Sequence, residues 1–446
     1  MNEGKLSRGT KLGYGVCDLG GNLYFTVIAF WLLNYFTDTV GISAALTGII
    51  IMVGRIWDAV TDPLVGYLSD RTKSRWGRRR PYLLFGSVPL FIAMVVMFTN
   101  PNIESQTWLF VWGVAVFCLL STVYTVVNIP YSSLTPELTK DFHEKTSLNG
   151  YRFGFAVLGT LLGAGAALPI VNAFPTRSAG FSAMGMIFGA AMMVTALVTF
   201  FSVREPAHRE EEVREKFFES YRHVLKNGPF RKILFTYAMH ILGVTVVSGI
   251  LVYYYTYVVG DEGQTTIALL FLLVTAMIFI PVSVVVSKRV GKKLTYGAGM
   301  AIVAVCAVVI AFTGDAVGSA YTFALMIVAG VGLSTTYAIP WSILPDAIEW
   351  DALRSGKRNE GAYYGVWTFT SKIGQAIAIA LTGFILDLSG YVPEVAQVPS
   401  AVLGIRIVLG PLAALAFLIA IAILSRYPIN EKTYAEMLSR ASADGG

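Results

Sequence analysis

Twelve apolar runs, each long enough to cross a bilayer, alternate with short polar connections, and this alternation leaves few folds open to the chain. The runs fall near residues 18–35, 44–68, 82–99, 108–129, 148–171 and 180–203, then 233–259, 266–286, 294–312, 321–344, 362–388 and 401–424. A membrane-crossing helix needs roughly 20 apolar residues, and backbone groups in hydrocarbon must satisfy one another, so each run is expected as a helix. Charge in the connections follows the same alternation. Lys5, Arg8 and Lys11 precede the first run, and Arg71, Lys73, Arg75, Arg78, Arg79 and Arg80 follow the second. Lys140 and Lys145, the stretch 204–232, Lys288 to Lys293, and Arg354 to Arg358 continue the basic series, and the tail adds Arg426, Lys432 and Arg440. The intervening connections hold Asp38, Glu104, Asp261, Glu262, Asp315 and Glu394, with Arg177 as their single basic residue. Basic residues mark cytoplasmic loops, so the expectation is an all-α membrane protein of twelve transmembrane helices with both termini cytoplasmic.

Composition excludes most other classes. Of 446 residues, 55% are hydrophobic and only 14% charged, against about 25% charged in soluble domains. The 43 glycines suit closely packed membrane helices. The net charge of +6 is accounted for by the one-sided loops, so it signals topology and no nucleic-acid partner is expected. Cys17, Cys118 and Cys306 lack CxxC spacing and read as packing residues, not as a disulfide frame or metal site. The first dozen residues are polar and the run after them is long, so no cleavable signal peptide is expected. No G-x-x-x-x-G-K-[ST], H-E-x-x-H or G-x-S-x-G pattern occurs, so neither direct ATP use nor an enzyme is expected, and no cofactor.

The organisation reads as a six-helix bundle over 1–203, a cytoplasmic linker over 204–231, a second six-helix bundle over 232–426 and a cytoplasmic tail over 427–446. In the linker, Val213, Phe217, Tyr221, Val224 and Leu225 share one helical face until Asn227-Gly228-Pro229 stops it. An amphipathic helix on the inner membrane surface or on the bundle fits that pattern better than a partner-binding helix. GYLSDRTKSRWGRRRP after the second run and SKRVGKKL after the eighth place a basic turn at the same point of each half, a weak internal repeat. Gly159, Gly163 and Gly165 form a small-residue stripe expected to be a packing seam.

The stretch VGRIWDAVTDPLVG over 53–66 puts Arg55, Asp58 and Asp62 at i, i+3 and i+7, on one face of the second helix. A carboxylate at mid-bilayer costs a few kcal/mol, and two at i, i+4 repel each other, so this face requires a polar cavity and favours a cation. Pro63 lacks an N–H, which frees the Ala59 carbonyl as a further oxygen ligand. The competing reading is an internally satisfied cluster that only packs helices. Other polar groups lie within runs: Asp18 and Asn22 on the first, Thr125 and Asn128 on the fourth, Arg152 opening the fifth and Lys372 midway along the eleventh. Lys372 calls for a carboxylate partner or a cavity, and an Asp–Lys network across the two halves is the economical reading. Asp346 and Glu349, at the inner end of the tenth run, are expected to pair with basic loops. His240 reads as a core histidine, and Arg406 as snorkelling without assigned function. Tyr24, Trp31, Trp341 and Trp367 offer flat rings that suit sugar faces or acyl chains, although packing accounts for most membrane aromatics.

Four blocks, KLGYGVCDLGGN, RIWDAVTDPLVGYLSDRTKSRWGRRRP, NIPYSSLTPELT and GAYYGVWTFTSKIG, resemble the glycoside–pentoside–hexuronide:cation symporters of the major facilitator superfamily, whose best-known member is melibiose permease. The resemblance runs from Lys11 to the twelfth helix. It implies that Asp58, Asp62 and Thr125 hold the coupling Na⁺, Li⁺ or H⁺, that Lys372 corresponds to the family's eleventh-helix lysine, and that Arg152 contributes to sugar binding. Melibiose permease grips its galactoside with two aspartates, whose places here are taken by Asn22 and Asn128, and its fourth-helix tryptophan corresponds to Ser132. Amides bond hydroxyls without the charge assistance of carboxylates, which argues against a galactoside. VGRIWDAVTDPLVG with YRFGFAVLGTLLG also resembles sodium-dependent lysophosphatidylcholine symporters.

Together these readings make the chain a cation-coupled symporter of a small polar solute, a glycoside or oligosaccharide, working by alternating access in a bacterial-type inner membrane. Arg55 and Lys372 are the coupling candidates. Asp18, Asn22, Tyr24, Asn128, Arg152, Trp341 and Trp367 are the candidates for solute binding, with sugars, glycosides or uronides as partners and membrane lipid around a monomer. A lysophospholipid symporter is the alternative, and a channel or a non-transporting receptor would share the topology.

Overall fold

The computed structural model describes residues 6–139, 142–204, 222–355, 360–429 and Thr433. Among them eleven helices are individually long and apolar enough to span a membrane, and a bent pair, Arg8–Phe30 with Leu32–Val40, makes a twelfth. We name this pair α1. It is followed by α2 (Ala44–Arg71), α3 (Arg80–Met97), α4 (Gln106–Ser132) and α5 (Phe142–Gly165, continued by Ala167–Asn172), then α6 (Arg177–Ser202). The later helices are α7 (Gly228–Val259), α8 (Gly263–Val290), α9 (Lys292–Val317), α10 (Ser319–Ser355), α11 (Glu360–Leu388) and α12 (Pro399–Ser425).

Local sequence explains several boundaries. Ser43, Thr176 and Asn227 precede α2, α6 and α7, and each side chain accepts a hydrogen bond from a backbone N–H of the first turn. Asn227-Gly228-Pro229, read from sequence as a stop, is also a start: the helical residues 222–224 end ahead of it, Asn227 caps α7 and Pro229 sits where its missing N–H costs nothing. The linker residues Val213, Phe217 and Tyr221 lie outside the described residues. The first helix begins ten residues ahead of its apolar run, at Arg8, because the Ser7 hydroxyl accepts from the Thr10 N–H and Lys11 pairs with Glu144 at 2.9 Å. It breaks at Trp31, whose indole donates to the Gly163 carbonyl at 3.0 Å.

The last turns of α1 and α7 are both wide π turns, Tyr35–Val40 and Tyr254–Val259, and both end on a glycine in the left-handed region, Gly41 at φ 82° and Gly260 at φ 84°. Their sequences, YFTDTVG and YYTYVVG, match at Tyr, Thr, Val and Gly. Packing repeats as well. The pairs α2–α4, α3–α4, α3–α6 and α1–α6 recur as α8–α10, α9–α10, α9–α12 and α7–α12.

Two compact units result, residues 1–210 with 379–396, and residues 211–378 with 397–446, so the two ends of α11 belong to different units. In the first unit the stripe on α5 is a seam against α1: a Cβ on Gly159 would lie 2.3 Å from the Leu19 carbonyl oxygen, and one on Gly163 2.8 Å from Thr26. The terminal part of α11 packs as closely on α2, since a Cβ on Gly383 would lie 2.1 Å from the Ala44 oxygen. Beyond it Tyr391 donates to Asp38 at 2.6 Å.

Candidate functional site

Helix α2 continues through Pro63 and turns Asp58 and Asp62 towards α4. Arg55 and Asp58 are almost fully buried and Asp62 is half-buried. From α4, the Thr125 hydroxyl lies 2.9 Å from Asp58 Oδ1 and 3.0 Å from Asp62 Oδ1. A hydroxyl carries one proton, so it donates to one carboxylate while its lone pairs face the other. Two carboxylates therefore converge on one hydroxyl, whose single proton can serve only one of the two contacts at a time. Arg55 Nε and Nη1 are buried without hydrogen-bond partners among the described residues. Tyr24 closes one side of this cluster: it is fully buried, stacked on Tyr124 at 4.0 Å, with its hydroxyl 3.3 Å from Ser121.

A second cluster lies between α1, α4 and α5. Arg152 Nε donates to Asp18 Oδ2 at 2.6 Å and Nη2 to Oδ1 at 3.3 Å, a forked ion pair. Tyr131 lies 2.6 Å from the same Asp18 Oδ2, and Thr135 bridges Arg152 Nη1 to Tyr14. Sequence reasoning placed Asp18 and Arg152 separately and missed Tyr14, Tyr131 and Thr135; Tyr14 lies one helical turn ahead of Asp18, the one available signal. Asn22 donates to the Asp18 carbonyl at 2.8 Å, one turn away. Asn128 is half-buried beside a cavity of about 10 Å³ shared with Cys17, Gly21 and Tyr124, room for a single water at most.

In the other unit Lys372 is buried in α11. Trp367 is fully buried and stacked on Tyr237 at 4.0 Å, whereas Trp341 is half exposed and stacks with Tyr364 at 6.4 Å. Trp341 is thus the exposed aromatic of the pair. Asp346 pairs with Lys292 at 2.7 Å, in keeping with the expected link to a basic loop. Arg406, read as snorkelling, instead pairs with Asp315 at 2.7 Å and donates to the Ala311 carbonyl. His240 is a core residue among Tyr237, Tyr296 and Phe417.

The family model for MFS/sugar transport proteins matches residues 13–431. The chain belongs to this family. Its relatives include the glucuronide carrier protein homolog of Escherichia coli, 29% identical over 98% of this chain and 96% of that one. The putative glycoside/cation symporter YagG of Escherichia coli is 30% identical over 87% of this chain and 84% of its own. The isoprimeverose transporter of Lactiplantibacillus pentosus is 30% identical over 87% and 81%. Among solved structures, a nucleoside transporter, NupG, superposes with a TM-score of 0.66 at 13% identity, covering 95% of this chain and all of that one. A bacterial homologue of the lysosomal transporter Spinster does so at 0.67 and 13%, covering 97% of each. At such identities these two show the fold alone. The family resemblance read from the four sequence blocks therefore holds, and the protein is a multi-pass membrane transporter of the bacterial type, not an enzyme.

Proposed function

We propose that this chain is a cation-coupled symporter that imports a glycoside or oligosaccharide by alternating access, with Na⁺, Li⁺ or H⁺ held by Asp58, Asp62 and Thr125. The observation that carries the reading is the sharing of one hydroxyl by two carboxylates, at 2.9 and 3.0 Å. Two like charges brought together in a low-dielectric span raise each other's cost, and a proton or a hard cation among the three oxygens relieves it. One cation entering through 100 mV contributes about 2.3 kcal/mol, enough for roughly 40-fold solute accumulation before any ion gradient is counted.

For the solute, Asn22 and Asn128 are the candidate hydroxyl partners in the first unit and the half-exposed ring of Trp341 is the candidate apolar face in the second, the two kinds of contact a sugar calls for. The Asp18–Arg152 pair occupies Arg152's fork, which favours a neutral glycoside over a uronide; both classes appear in the names of the relatives. Lys372 serves as the coupling group of the C-terminal half and Arg55 as the fixed cation beside the carboxylates. We place both termini in the cytoplasm, on the basic-loop side.

The test is a thermal-shift screen of the purified protein against sugars, glycosides, uronides and lysophosphatidylcholine, with and without Na⁺, followed by uptake into proteoliposomes. A sugar-class ligand whose shift and accumulation both depend on an inward cation gradient is expected. A shift confined to lysophosphatidylcholine would move the solute to lipids, and saturable flux that never exceeds equilibrium would refute symport.

A further inference from the structure

A groove of about 630 Å³ lies in the C-terminal unit, at the basic end of α9, α10 and α12. Its floor is Ile343, Leu424, Tyr427 and Ile429, all buried, and its mouth is formed by Val290 and Leu294, both more than half exposed. Gly297, Ala298 and Ala301 line the α9 wall. A Cβ on Gly297 would meet its nearest neighbour, Leu424 Cδ2, only at 3.9 Å, so no close helix contact explains the small residue there. A hydroxyl-rich solute would find few partners on such walls. An alkyl chain fits them.

The lip is cationic. Lys293 Nζ donates to the Tyr427 carbonyl at 3.2 Å and to the Ser425 carbonyl. Neutral carbonyls leave the ammonium's charge intact, and one of its three N–H groups remains for another acceptor. Lys288, Arg289, Arg426 and Lys232 stand around the same end, the last donating to the Arg426 carbonyl, and none of them forms an ion pair among the described residues. The one acid among the described lining residues, Asp346, is already matched by Lys292. Tyr427 adds a buried hydroxyl without a partner among the described residues.

The depth fits as well. From Lys293 to Ala301 the α9 wall rises about 12 Å, most of one ~15 Å hydrocarbon leaflet. The lip lies where α9 begins and α12 ends.

We propose that this groove seats one anionic phospholipid, its phosphate on Lys293 with Arg426 and Lys288 nearby and one acyl chain lying along α9. Anionic lipids concentrate in the cytoplasmic leaflet, the side on which the basic loops place this end. The lipid is a bound companion of the C-terminal helices, independent of the solute that the protein carries.

Native mass spectrometry of the full-length protein in detergent, titrated with phosphatidylglycerol and with phosphatidylcholine of the same chains, tests this. One phosphatidylglycerol retained about tenfold better than phosphatidylcholine is expected. Lys293→Gln should cut that preference to threefold or less. Ala298→Trp, or the milder Ala298→Leu, should release both lipids by filling the groove, while excess inorganic phosphate should displace neither. Equal retention of the two lipids would overturn the proposal. So would undiminished phosphatidylglycerol binding in a groove-filled variant whose melting is unchanged.

Discussion

The α2–α4 pair of the first half and the α8–α10 pair of the second are the same scaffold with different chemistry. Aligned on Pro63 and Pro281, Arg55, Asp58 and Asp62 correspond to Leu273, Ala276 and Ile280. On the partner helices, Thr125, Asn128, Ile129 and Pro130 correspond to Thr335, Ala338, Ile339 and Pro340. In the second half the matching threonine turns back, and its hydroxyl donates to the Gly332 carbonyl of its own helix at 2.9 Å. The cross-helix polar contact there is between two serines, Ser283 and Ser334. Leu273 and Ala276 are simply buried. The fold thus needs no charge at these positions, which accords with the role proposed for the charged face of α2.

The comparison breaks most sharply at the carboxylates. Asp58→Asn or Asp62→Asn should abolish cation-driven uptake in proteoliposomes while the melting temperature holds or rises, since one of two like charges is gone. Concentrative uptake at the original level in both variants would return α2 to a packing role. Lys372→Ala should keep solute exchange across the membrane and lose accumulation against a gradient, and Lys372→Arg should restore little, because a planar fork does not replace a compact ammonium. Wild-type accumulation in the alanine variant would remove Lys372 from the coupling.

Arg152→Ala leaves Asp18 half-buried without its forked partner and should destabilise by about 3 kcal/mol, read as a lower melting temperature, with Asp18→Asn/Arg152→Gln recovering part of it. An unshifted melt for Arg152→Ala would mean that the pair contributes nothing to the fold. Thr125→Ala should weaken cation affinity about tenfold, the worth of one hydrogen bond to a charged group, whereas Thr335→Ala should change it less than twofold. Equal effects of the two alanines would erase the distinction between the halves.

Legibility in the sequence is a matter of range. The charged face of α2 needs only residues three and four apart, so i, i+3, i+7 spacing was enough to find it. Loop charge and run length gave the helix count because each is summed over many residues. The Asp18–Arg152 fork joins groups 134 residues apart, and whether two helices turn matching faces to each other depends on rotations that no local spacing records. Arg406 escaped for the same reason, its partner Asp315 lying 91 residues away. The start of α1 was missed because Arg8 to Lys11 gives no hydropathy signal. It is held by a serine cap and by an ion pair to Glu144. NIPYSS over 128–133 matches AIPWSI over 338–343 at Ile, Pro and Ser, a repeat too short to stand out within apolar runs.

The wide last turns of α1 and α7 bear on how the chain tolerates changes in length. A π turn holds one residue more than an α turn, so each half keeps a spare residue at its first helix's end, just before a glycine. Deleting one residue within 35–40 can be absorbed by tightening that turn, with a shift of about 1.5 Å along the axis for the residues after it. Deleting one between Arg55 and Asp58 cannot be absorbed in this way: it rotates Arg55 by about 100° relative to the two aspartates. Paired single-residue deletions, compared by membrane expression and melting, should show the first tolerated and the second not. Slack in register is therefore local: it sits at the helix end and is absent around the carboxylates.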